Sequence, residues 1–218
     1  MNKKTVSIVA VVVLLALAAV SVFAYQSSIK QEPQAAQEET NTSTVQADTN
    51  STTYKMYAAM TGETYDRNFI ANMIAHHQGA VDMAKLALAN AKHQELKDMA
   101  NDIVTAQEKE ISDMLAWQKA WGYPSTSAED MQDHSAMGMM DDMAGMTAQL
   151  DGKSGDDFDR AFLEQMILHH QSAIDMAAPG EKNASRQEVK DLAEAIVKAQ
   201  SKEIAQMQTW QKEWGYKN

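Results

Sequence analysis

The chain contains no cysteine among its 218 residues. Disulfide frameworks, thiolate zinc sites, iron–sulfur clusters and cysteine nucleophiles are thereby excluded. Positive charge is also scarce: 19 Lys and Arg stand against 30 Asp and Glu, for a net charge of −11. No basic cluster offsets this, so phosphate backbones are repelled and nucleic acid is excluded as a partner. There is no glycine-rich phosphate loop, no Gly-x-Ser-x-Gly elbow and no β-hairpin signal. Aromatic residues are few (four Trp, six Tyr, four Phe) and are outnumbered by 16 Met. That surplus of thioether side chains needs a chemical reason.

Polar residues are absent from one stretch only. Lys3 and Lys4 precede an unbroken apolar run from Ile8 to Val20, and Val22-Phe23-Ala24 supplies the small residues a signal peptidase reads. Residues 1–24 are therefore predicted to be an export signal or, because Val6 to Ala24 spans 19 residues, a retained membrane anchor. Either way the rest of the chain is placed outside the cytoplasm, periplasmic or secreted, and any membrane association runs through this segment. Residues 25–60 hold hardly an aliphatic side chain, which predicts a disordered tether. Tyr54, Met56, Tyr57 and Met60 mark its approach to the folded part.

The remainder repeats itself. Residues 65–123 align with 158–216 at a constant offset of 93, without a gap and with 33 of 59 positions identical. Both copies carry Met-Ile-x-His-His-Gln (Met73 to Gln78, Met166 to Gln171), then Asp-Met-Ala, then Glu-Ile-x-x-Met-x-x-Trp-Gln-Lys-x-Trp-Gly-Tyr. Within each copy, apolar residues recur at three- and four-residue steps, which predicts two helices. The first runs from about Thr64 to Ala89, and the second ends at Gly122 before Pro124. In the second copy Pro179-Gly180 should end the first helix early, and Ser185 to Glu188 reads as a capping box. The expectation is an all-α, four-helix bundle of two duplicated hairpins: 61–123, a Met-rich connecting loop at 124–156, and 157–218.

At 100° per residue, Met73, His76, His77 and Met83 fall within a sector of roughly 120°, the one that faces the other helices. An imidazole buried there is costly unless its nitrogens are satisfied. Its lone pair suits a metal, and thioether sulfur selects soft ions such as Cu(I) over Mg²⁺ or Ca²⁺. The facing helix offers Glu110 and Met114, and the second copy presents Met166, His169, His170, Met176, Glu203 and Met207. For the methionines alone, core filling is the ordinary explanation, and for Glu110 and Glu203 the ordinary alternative to ligation is a hydrogen bond to His, or to Arg67 and Arg160, in the interior. For paired histidines on an apolar face, twice over, ligation is the better one. His93, replaced by Arg186 in the second copy, reads as an exposed loop position without a role. The four Trp are expected to seal one end of the bundle.

The connecting loop adds His134 and six methionines from Met131 to Met146, among them Met137, Met139, Met140 and Met143. A loop crossing water has little packing reason for these side chains, so they read as a second, flexible soft-ligand set. Covering of the bundle by an amphipathic turn is the alternative.

The two motifs resemble those of the domain of unknown function 305 family, which is grouped with ferritin-like folds. The resemblance covers residues 65–123 and 158–216. It implies a ferritin-like bundle and, because exported cyanobacterial members bind copper through Met and His and are linked to copper resistance, a copper-binding role. The positions it carries over are Met73, His76, His77, Met83 and Met114 with their second-copy equivalents. The expected function is non-enzymatic: binding copper, as Cu(I) first and Cu(II) or Ag(I) otherwise, to buffer it, sequester it or exchange it with a donor or acceptor protein. A metal-free interaction module is the alternative. A ferritin-like oxidase ranks below both, because no Glu has a His three residues later.

Overall fold

The computed structural model describes residues 45–123 and 143–217. The export or anchor segment, residues 25–44 of the tether, and His134, Met137, Met139 and Met140 lie outside the described residues. Among the described residues no helix is long and apolar enough to cross a membrane.

The elements are α1 (Thr52–Ala58), α2 (Glu63–Asn90), α3 (Gln94–Trp121), α4 (Gly155–Ala177), α5 (Gly180–Asn183) and α6 (Gln187–Glu213). α2 packs on α3 and α4 on α6, and the two hairpins meet through α2 and α4. This is the four-helix bundle expected from the duplication. α3 stops where Gly122 adopts a left-handed conformation (φ 69°) and its N–H bonds Gln118 O, a conformation that costs glycine nothing. α4 stops at Ala177 ahead of Pro179, as its sequence indicates.

Several readings of the sequence need correction. The tether does not extend to residue 60: Val45 and Ala47 pack on the bundle, Ser51 caps α1 by accepting from Tyr54 N at 3.0 Å, and Tyr57 is fully buried. A few apolar side chains suffice when a preformed surface receives them, although composition alone suggests disorder. The connecting loop is likewise shorter than 124–156: residues 143–148 are helical and α4 starts at Gly155. Ser185 forms no capping box either. Its Oγ and N bond Asp66, and α6 begins after Arg186 without a side-chain cap.

Pseudo-two-fold symmetry shows in how the repeats lock together. Asp66, fully buried in repeat 1, accepts from Ser185 N, Ser185 Oγ and Arg186 N, at the start of α6 in repeat 2. Asp159, fully buried in repeat 2, accepts from Lys92 N (2.9 Å) and His93 N (3.1 Å), at the start of α3 in repeat 1. Each carboxylate thus satisfies orphan N–H groups at the other repeat's helix N-terminus. His93 is no idle loop residue: its ring stacks on Trp214 at 3.8 Å and its Nδ1 lies 2.6 Å from Asp159 Oδ2. Arg186 sits over Trp121 in the equivalent place, 4.7 Å from the ring centroid. Trp117 stacks on Trp121 and Trp210 on Trp214. The four tryptophans therefore do not seal one end: the Trp117–Trp121 and Trp210–Trp214 pairs lie at opposite ends of α3, each half-buried and set against the other repeat's turn.

A methyl added at Gly180 would lie 2.7 Å from Ala193 Cβ and 2.8 Å from the Tyr65 hydroxyl, which itself donates to Met176 O at 2.9 Å. The symmetry-related positions hold Ala87 and Phe158, a methyl gained where the hydroxyl is lost. Gly180→Ala is expected to cost about 1–3 kcal/mol by overpacking. Combining it with Tyr65→Phe should cost less than the sum of the two changes, as a double-mutant cycle in urea will show.

Candidate metal centre

α2 and α4 run antiparallel and cross where His76 meets His169, ring centroids 3.7 Å apart and tilted 36°. Tyr65 beside Gly180 is the same register further along. His77 and His170 flank the central pair at 6.4 and 6.2 Å from their neighbours. All four rings are buried, at most 1% exposed. They are brought together because the motif histidine of each repeat lies near the pseudo-two-fold axis, so duplication doubles the number of imidazoles at one spot.

Polar satisfaction is incomplete there. Both ring nitrogens of His76 and His169, and Nδ1 of His77 and His170, have no hydrogen-bond partner. Nε2 of His77 lies 2.6 Å from Glu110 Oε2, and Nε2 of His170 lies 2.6 Å from Glu203 Oε2. Burial, reinforced by the neighbouring imidazoles, holds His76 and His169 well below the ordinary histidine pKa, so both rings stay neutral and keep a lone pair. Orphaned buried polar atoms are rare in native folds, and this cluster of them is what makes the crossing a candidate site. Gln107 and Gln200, one turn before the two glutamates, add buried and unpartnered Oε1 atoms. Their place on the buried stripe was legible in the sequence, but their orphaned oxygens were not. The other orphaned side-chain atoms among the described residues are on Gln118 and Gln211.

The methionines divide differently from the linear motif. Met73, Met114 and Met176 belong to one buried cluster, and Met83, Met166 and Met207 to the other. All six are fully buried. The ten-residue rise from Met73 to Met83 is about 15 Å, too long for both sulfurs to reach one ion. The sequence grouped Met83 with Met73 because they share a helix face; the antiparallel crossing instead puts Met83 with repeat 2 and Met176 with repeat 1. Each thioether cluster is thus composite, and the imidazoles lie between the two. Among the described residues, no three or more His, Asp or Glu side chains converge in a metal-binding arrangement, so a cation here needs sulfur or amide oxygen besides nitrogen.

Met143 is 8% exposed, and its sulfur would stand 3.2 Å from a methyl placed on Gly79. This thioether therefore has a packing reason, which is the alternative of an amphipathic turn covering the bundle.

Fold and centre together define a duplicated helical-hairpin bundle with soft-ligand side chains and unsatisfied imidazoles at its symmetry axis. The chain belongs to the family described as Domain of unknown function (DUF305), matching it over residues 21–104 and 66–211. Among solved structures it is similar to CopM in the Cu(II)-bound form, with 38% identity, a TM-score of 0.58, and coverage of 68% of this chain and 97% of that one. CopM in the Ag-bound form obtained by soaking gives 38% identity, a TM-score of 0.56, and coverage of 68% and 96%. A DUF305 protein from Streptomyces coelicolor gives 26% identity, a TM-score of 0.59, and coverage of 69% and 94%. No curated protein matches the chain.

Proposed function

We propose that this protein binds copper outside the cytoplasm, as Cu(I) in preference to Cu(II) and with Ag(I) as a surrogate, and buffers, sequesters or hands over the ion without turning over a substrate. The observation that carries the reading is the set of six unpartnered imidazole nitrogens buried between two thioether clusters. Neutral nitrogen and sulfur are the donor set a soft monovalent cation prefers. Similarity to CopM, whose structures hold Cu(II), Cu(I) and Ag, supports the same choice of metal. The apolar run at residues 8–20 supports export, with the same segment as anchor if it is retained. Copper would then be exchanged with a donor or acceptor protein in that compartment. Binding is favoured over oxidase chemistry because each glutamate at the centre is engaged with an imidazole.

Anaerobic competition with a Cu(I) chelator tests this. Replacing His76, His77, His169 and His170 with Gln is expected to weaken the bundle site by at least about 100-fold, since even outer-shell changes cost 10–100-fold, while circular dichroism keeps its helical signal. Truncating Met137, Met139 and Met140 should affect only additional, weaker sites. Equal stoichiometry and affinity in all variants would refute the assignment.

A further inference from the structure

We infer that Glu110 and Glu203 are positioning residues that hold His77 and His170 as Nε2–H tautomers, so that the lone pair of each Nδ1 is aimed into the core. The inference deepens the copper-binding reading and rests on it for its purpose, though not for its test. Each glutamate oxygen lies 2.6 Å from Nε2, in both repeats and at the same separation of 33 residues. The rings are fully buried, and about a quarter of each glutamate side chain is exposed. A carboxylate can only accept, so the proton between the two groups sits on Nε2. The opposite ring nitrogen, Nδ1, has no partner. In the Nδ1–H tautomer, or in a charged imidazolium, the ring would carry an N–H at the nitrogen that makes no hydrogen bond in the structure, at the cost of a buried unsatisfied donor.

His76 and His169 differ: neither ring has a carboxylate within hydrogen-bonding distance to fix its tautomer, and both nitrogens of each are without a well-formed hydrogen bond. The centre thus contains two preset imidazoles and two adaptable ones. A preset lone pair serves a cation, which needs an acceptor without a proton to displace, and a carboxylate behind the ring strengthens the nitrogen as a donor. The two glutamates do this from the rim of the bundle without spending a ligand position.

Long-range ¹H–¹⁵N correlation spectra of the metal-free protein at neutral pH test the assignment directly. His77 and His170 should show a protonated Nε2 and an unprotonated Nδ1, with an Nε2 proton shifted far downfield and slow to exchange. In Glu110→Leu and Glu203→Leu, which offer Nε2 no acceptor, that proton signal should be lost or averaged, and Ag(I) affinity should fall about 10–100-fold. An Nδ1–H tautomer in the parent, or a ring-proton signal unchanged in the Leu variants, would overturn the inference. Failure of the copper reading is separate: it would appear as spectra insensitive to added Ag(I) with the tautomers in place.

Discussion

Acidification of the metal-free bundle below pH 6.5 is expected to lower its stability through His76 and His169, by up to about 1.4 kcal/mol per pH unit for each ring. Burial, then repulsion from the neighbouring imidazoles, lowers both folded-state pKa values well below 6.5. In the unfolded chain the same rings take up protons near 6.5. Below that pH the unfolded state therefore binds more protons than the folded one, so stability must fall as pH falls. The slope is about 1.4 kcal/mol per pH unit for each ring until the folded-state pKa is reached. Urea midpoints across this window measure it. In His76→Leu/His169→Leu the profile should flatten and the metal-free protein should gain stability, because two unsatisfied groups leave the core. An unchanged slope in that variant would show that other groups govern the acid response.

Asp159→Ala is expected to destabilise the protein by about 3 kcal/mol, and Asp66→Ala by a similar amount, since each strands several donors at a buried helix start. The carboxylate of Asp159 serves Lys92 N, His93 N and the His93 ring, and that of Asp66 serves Ser185 and Arg186. These contacts join the two repeats, so the double substitution should lose about 6 kcal/mol, a large part of an ordinary domain's stability. Urea unfolding should show lower midpoints at an unchanged slope for the single variants. A loss below about 1 kcal/mol for either one would mean that water replaces the carboxylate.

Much of this was legible beforehand for specific reasons. The offset of 93 residues needed no structure to be seen, and helical spacing placed Met73, His76, His77 and Met114 on buried faces, where they lie. Gly122 and Pro179 ended their helices as local backbone chemistry requires. Other features were hidden because they depend on partners distant in the chain. Tyr57 is buried on a surface that forms only after folding. Ser185 faces Asp66, 119 residues away, in preference to its own helix. His93, which looked idle, sits against Trp214.

Periodicity and duplication alone determined that two like hairpins would bury imidazole and thioether side chains, because the helical repeat decides which residues share a face. Which of those side chains meet was decided by the tertiary structure. The antiparallel crossing of α2 and α4 sets His76 against His169 and places Met83 in a different cluster from Met73. A shared face specifies direction around a helix axis, whereas contact also requires the position along it, and that is set only when two helices pack.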